Sequence, residues 1–190
     1  MWYRSGKSNR NMIRYLQNWR NAHQFEILLA CVLLVLIIGI VFQVQATEKQ
    51  FNQYCIILSC LYVIAVFYVT VISRKQGGEL EYNHEIFWSY KLALHDGGYF
   101  MQIILNIMLF VPLGILWAGI VRRHKFCFYF LMMIGGGLFS GCIELLQYRL
   151  QCGFSEIDDI ISNTIGLMTG IILWELALWC QKKTSCLIYK

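Results

Sequence analysis

Apolar residues run along the chain in five blocks close to twenty residues long: Phe25–Val44, Tyr54–Ile72, Met101–Val121, Phe126–Tyr148 and Ile157–Trp179. A helix of about 20 residues crosses the hydrocarbon core of a bilayer, and in lipid only helices or closed barrels satisfy every backbone polar group. The pattern therefore predicts an all-α fold, a polytopic membrane helix bundle of about five transmembrane helices. Pro112 interrupts the third block, where a missing backbone N–H predicts a kink. The longest polar connection, Ser73–Gly98, contains "EIFWSYKLALHDGG" and reads as a loop with aromatic contacts at the headgroup level. Ahead of the first block, residues 1–24 alternate five basic residues with Met12, Ile13, Leu16 and Trp19. That spacing fits either a short interfacial helix or a solvated basic tail.

The polar residues inside the blocks carry more information than the apolar ones. If each block crosses the membrane once, the third starts on the face where the fourth ends and the fifth begins. Asn106 near the start of the third, Glu144 and Gln147 near the end of the fourth, and Asp159 and Asn163 near the start of the fifth then fall at similar depth. Glu144 and Gln147 are three apart and Asp159 and Asn163 four apart, spacings that share a helix face. Continuing the Asn163 face gives Gly166 and Gly170, a G-x-x-x-G pair that lets a second helix approach closely. "IGGGLFSG" (Ile134–Gly141) supplies small residues on the fourth block. Ionisable residues in a span mark functional sites or serve as hydrogen-bonded glue between helices. Asp158 fits an exposed carboxylate at a helix start, favoured there by the helix dipole.

Composition agrees with a membrane protein: 58% of the 190 residues are hydrophobic and only 14% charged, with a mean hydropathy of +0.53. The net charge of +5 comes from clusters outside the apolar blocks, which suits anionic lipid and not nucleic acid. Pooling the connections gives nine Lys and Arg on the N-terminal side and seven on the other, so the positive-inside rule barely orients the chain. The eight cysteines form no C-x-x-C and lie mostly in apolar segments, where cysteine acts as a small hydrophobe. No cleavable leader is expected, because mostly polar residues precede the first apolar block.

Three segments, "NIMLFVPLG" (Asn106–Gly114), "SGCIELLQ" (Ser140–Gln147) and "GFSEIDDIISNTIGLMTG" (Gly153–Gly170), resemble the signature segments of the VanZ-like membrane protein family in order and spacing. The resemblance covers residues 54–180 and includes "FWSYK" in the long connection. It implies a four-helix core preceded by an additional N-terminal helix. The expected organisation is a basic segment over 1–24, an extra span and loop over 25–53, the VanZ-like domain over 54–180 and a basic tail over 181–190. It also implies a multi-pass bacterial cell-membrane protein, the family's founding member being associated with low-level resistance to the glycopeptide teicoplanin. The family's polar signature falls on Asn106, Glu144, Gln147, Asp159 and Asn163, with Phe110, Pro112, Gly114, Gly166 and Gly170 as shape positions. Many relatives carry an Arg shortly before the paired aspartates; here Cys152 and Gly153 stand there and Arg149 is the nearest cation in sequence.

Two classes of function follow. Clustered amides and carboxylates near one face could recognise a headgroup, a lipid-linked cell-wall precursor or a glycopeptide. Alternatively, Glu144 and Asp159 could act as an acid and base pair of an intramembrane enzyme on a lipid or cell-wall intermediate, since two carboxylates in one low-dielectric site can divide those roles. Ser–His and Cys–His nucleophile patterns and H-E-x-x-H spacing are absent from the sequence, so no metal or cofactor is expected. The expected partners are the lipid bilayer and, in the first class, the precursor or glycopeptide itself.

Overall fold

A computed structural model describes residues 47–74, 82–83, 85–121, 126–152 and 155–188. The basic N-terminal segment, the first expected span (Phe25–Val44), the Arg122–Lys125 cluster, His84 and Gly153 lie outside the described residues. The chain is an all-α bundle in which, among the described residues, four helices, Lys49–Ile72, Gly97–Ile120, Cys127–Leu150 and Ile157–Gln181, are long and apolar enough to cross a membrane.

In chain order the elements are α1 (Glu48–Phe67), continued by a π-helical turn over Tyr68–Ile72, then β1 (Tyr82–Asn83) and α2 (Trp88–Ala93). They are followed by α3 (Gly97–Ile120), α4 (Phe126–Leu150), β2 (Ser155–Glu156) and α5 (Ile157–Ile188). Helix α1 starts six residues before the expected Tyr54, because the apolar block is preceded by helix-compatible polar residues that periodicity does not count. Helix α5 runs past Trp179 for the same reason, through Lys182 and Lys183.

The long connection corrects the sequence reading, which made it a loop. It contains α2 and a two-residue strand that pairs in parallel with β2, Tyr82 opposite Ser155 and Asn83 opposite Glu156. Too few residues are involved for a periodic signal. Helix α3 begins at Gly97 where Asp96 caps it, its carboxylate accepting from the Gly98 N–H at 2.8 Å.

The tightest packing joins α3 to α5. A Cβ added at Gly166 would stand 2.0 Å from the Ile107 carbonyl oxygen, at Gly170 2.1 Å from that of Val111, and at Gly114 2.1 Å from that of Leu167. Backbone meets backbone along this seam, as small-residue spacing permits where lipid tails remove the ordinary hydrophobic drive. Gly136 of α4 similarly takes the Leu167 side chain, which is fully buried. Helix α3 continues through Pro112. The ring removes the bond to the Met108 carbonyl, and the neighbouring Leu109 carbonyl accepts from the Tyr62 hydroxyl of α1 at 2.7 Å. Phe110, Leu113, Leu167 and Val66 fill the centre. At the opposite end from the long connection, Phe51 stacks on Trp174 with ring centroids 5.8 Å apart.

Candidate functional site

The polar residues concentrate at the end of the bundle where α1 finishes, α2 lies, α4 ends and α5 starts. Glu144 is buried on the last two turns of α4, and its Oε2 accepts from the Glu156 N–H at 3.1 Å. Asp159, one turn into α5, is an electrostatic neighbour of Glu144. Gln102 donates to its Oδ1 at 3.4 Å, and Asn106 lies against it. These two donors come from successive turns of α3 because residues four apart share a face. Glu144, Asp159 and Asn106, derived from three separated segments, are thus neighbours at one end.

Gln147 and Asn163 are buried close by but spend their amides differently. Gln147 Nε2 donates to the Thr70 carbonyl at 3.1 Å, and Asn163 Nδ2 donates to Ser140 Oγ at 2.8 Å. The first bond depends on the π-helical turn, in which the Ser73 N–H reaches back to the Tyr68 carbonyl at 2.8 Å. Thr70 lies in the last turn of this helix, where carbonyls have no further helical N–H to accept, and Gln147 supplies the donor. Three polar atoms here have no hydrogen-bond partner: Arg74 Nε, Gln147 Oε1 and Asn163 Oδ1.

Asp158 corrects a second reading. It is 2% exposed, not a solvated carboxylate at a helix start. Its Oδ1 accepts from the Phe87 N–H at 2.7 Å, and its Oδ2 accepts from the Ser89 N–H at 2.8 Å and from the Ser89 hydroxyl at 2.7 Å. A carboxylate from α5 therefore caps α2, where orphan N–H groups and the helix dipole favour a negative charge. The bonds also hold Phe87 at φ 63°, a left-handed conformation costly for an aromatic residue. Tyr90 and Ser162, whose hydroxyl oxygens are 2.8 Å apart, add a second tie between α2 and α5.

Two residues of the cluster escape sequence reasoning. Arg74, just after the π-helical turn, acts electrostatically on Glu144, Asp159 and Cys152. It supplies the cation beside Cys152 from seventy-odd positions away, whereas Arg149, the nearest cation in sequence, is exposed. Glu156 is 2% exposed and joins Glu144 through its backbone N–H; before a span it reads as a surface residue. Burial pushes the Cys152 thiol up, so it is not a ready thiolate nucleophile. His95 lies near the Lys91 carbonyl, apart from the carboxylates. Among the described residues, His, Cys, Asp and Glu form no group able to hold a metal ion.

Beside this cluster, between α4 and the start of α5, lies an open cleft of about 410 Å³. Glu144, Glu156, Ser155 and Tyr148 contribute its polar wall, with Gly141, Leu145, Ile157 and Ile160 as the apolar one.

Membrane-length helices enclosing carboxylates, amides and an arginine at one end define a multi-pass helical membrane protein with a polar cluster at one end of its bundle. The chain belongs to the VanZ/LLP1 family, which it matches over residues 59–178, and it is accordingly a multi-pass bacterial membrane protein. Over 80 residues, 42% of its length, it is 29% identical to Protein VanZ of Enterococcus faecium. That stretch covers 48% of the relative, so the chain spans about half the length of the VanZ protein it matches. No solved structure matches the chain.

Proposed function

We propose that the chain is a non-enzymatic membrane module whose polar cluster, Asn106, Glu144, Gln147, Asp159 and Asn163, recognises a polar group presented at one membrane face. The group belongs to a lipid-linked cell-wall precursor or a glycopeptide, and the module contributes to teicoplanin-type resistance. What carries the reading is the meeting of Glu144 and Asp159 with Arg74 and the α3 amides, alongside three buried polar atoms without partners. Buried polar groups are normally satisfied, and donors and acceptors left open in one place favour a polar ligand. The resemblance to VanZ supplies the envelope context.

The test is binding of a lipid-linked precursor and of teicoplanin to the purified full-length protein. Glu144→Gln and Asn163→Ala should each weaken one of them about tenfold, the worth of one hydrogen bond to a charged group. Unchanged affinity in both variants would refute the reading.

A second reading rests on the Glu144 and Asp159 pair beside an open cleft: an intramembrane enzyme with these as acid and base. It requires that precursor profiles of a deletion strain be restored by the wild-type chain and not by Glu144→Gln. Identical profiles in deletion and wild-type strains would exclude it.

A further inference from the structure

The short helix α2 and its flanks carry large apolar residues on the outside. Ile86, Phe87 and Leu94 are 54%, 52% and 81% exposed, whereas Ser89 on the other side is buried against α5. Facing water, such a cluster would be a liability. Six residues beyond Leu94 the chain reaches Phe100 and Met101, exposed side chains at the start of α3, a helix that crosses the membrane. The outer face of α2 therefore adjoins the lipid-facing surface of a span.

Depth follows from the partners of α2. Ser89 donates to Asp158, the second residue of α5, and the Tyr90 hydroxyl reaches that of Ser162, the sixth. Trp88 packs edge-on against Tyr99, the third residue of α3, with ring centroids 5.4 Å apart. Helix α2 is thus level with the starts of two spans and does not stand clear of them. The span of α3 has 24 residues, about 36 Å at 1.5 Å per residue, against a hydrocarbon core of about 30 Å, so its start lies in the headgroup layer. Two features of α2 suit that layer. The N–H groups of Phe87 and Ser89 bond to a buried carboxylate and not to water, as backbone close to lipid must find its partners within the protein. Lys91, exposed on the face that Phe87 and Leu94 share, reaches Glu85 at 3.3 Å, and a lysine stem can lie along apolar surface while its ammonium stays among polar groups.

We propose that Ile86, Phe87 and Leu94 form a membrane-docking surface. Helix α2 lies in the plane of the leaflet at the polar end of the bundle and sets these side chains among the glycerol groups and upper acyl chains, as interfacial amphipathic helices do. Because Asp158 clamps the same helix beside Asp159, the leaflet braces the start of α5 from outside. The surface goes beyond the proposed recognition site and does not depend on what the polar cluster binds.

The full-length protein in nanodiscs of phosphatidylethanolamine and phosphatidylglycerol tests this, with a trace of phosphatidylethanolamine whose diazirine stands either beside the chain carbonyl or at the chain end. The shallow probe should label the peptide containing Ile86–Leu94 as strongly as that containing Phe100 and Met101. The deep probe should favour Leu131–Leu138 of α4 instead. Leu94→Asp should lower shallow labelling of the α2 peptide about tenfold, the factor that corresponds to burying one leucine side chain, and leave Phe100 and Met101 labelled as before. Ile86→Asp should act in the same direction; both residues are exposed, so neither change disturbs the interior, and both variants should melt with the wild type in detergent. A wild-type α2 peptide that the shallow probe leaves unlabelled, or that the two probes label equally, would overturn the docking surface, as would labelling unchanged in both variants. Protection of Phe87 and Leu94 from hydroxyl radicals without lipid labelling would assign the face to a protein segment and overturn it too.

Discussion

The seam between α3 and α5 and the polar end beside it share those two helices, yet they obey different physics. Along the seam, Gly114, Gly166 and Gly170 bring backbone against backbone, with carbonyl oxygens where side chains would otherwise stand. Its energetics are those of van der Waals contact, and its geometry follows from a spacing within one helix. At the polar end, each group depends on a partner from another element: Asp158 on α2, Gln147 on the π-helical turn, Asp159 on Gln102, Glu144 on the β2 backbone. The seam fixes the relative position of the helices. The polar end uses that position to hold groups that would be unfavourable apart, and leaves several unsatisfied.

Substitution can break the contrast from either side. The largest effect is expected on the seam. Gly166→Ala puts a methyl 2.0 Å from a backbone carbonyl that cannot step aside. The helices must separate, at the upper end of overpacking costs, about 3 kcal/mol, which lowers the melting temperature of the purified protein by roughly 10 °C. If Gly166→Ala melts with the wild type, the seam is not the tight crossing described.

Next comes the tie between α5 and α2. Asp158→Ala strips three hydrogen bonds, two of them from the buried Ser89, and should cost roughly 2–4 kcal/mol. Cleavage by limited proteolysis between Ile86 and Asp96 should increase at temperatures where the spans remain folded. Equal protection of this stretch in the variant would show that α2 is held by something else.

A smaller effect is expected at Gln147. Gln147→Leu removes the donor to the Thr70 carbonyl but also removes Oε1, which has no partner. The two changes oppose each other, so the net loss should be about 1 kcal/mol, visible as a shift of a few degrees in melting. A cost as large as that of Asp158→Ala would mean that the π-helical turn is a main support of the bundle.

The seam and the polar end were not equally legible. Four apolar blocks and the Gly166 and Gly170 spacing are local patterns, and each translates directly into a helix or a close crossing. The neighbouring placement of Glu144, Asp159 and Asn106 could be expected as well, because antiparallel spans of similar length carry their ends to common depths. Arg74, Glu156 and the capping role of Asp158 could not. Each owes its place to a short element, a π-helical turn, a two-residue strand and a six-residue helix, too brief for periodicity to register. An aspartate before a span gives the same sequence signal whether it faces water or caps a neighbouring helix. The only hint was the aromatic "FWSYK" segment, whose Phe87, Ser89 and Tyr90 turn out to contact α5.

If the carboxylates exist for recognition, they should weigh on stability, as functional sites often do. Neutralising one of two neighbouring buried carboxylates removes repulsion and a desolvation cost, and a glutamine at 144 can still accept from the Glu156 N–H. The melting temperature of purified Glu144→Gln should therefore equal or exceed that of the wild-type protein. A fall of more than about 5 °C would make Glu144 structural glue and contradict the assignment of this end of the bundle as the functional one.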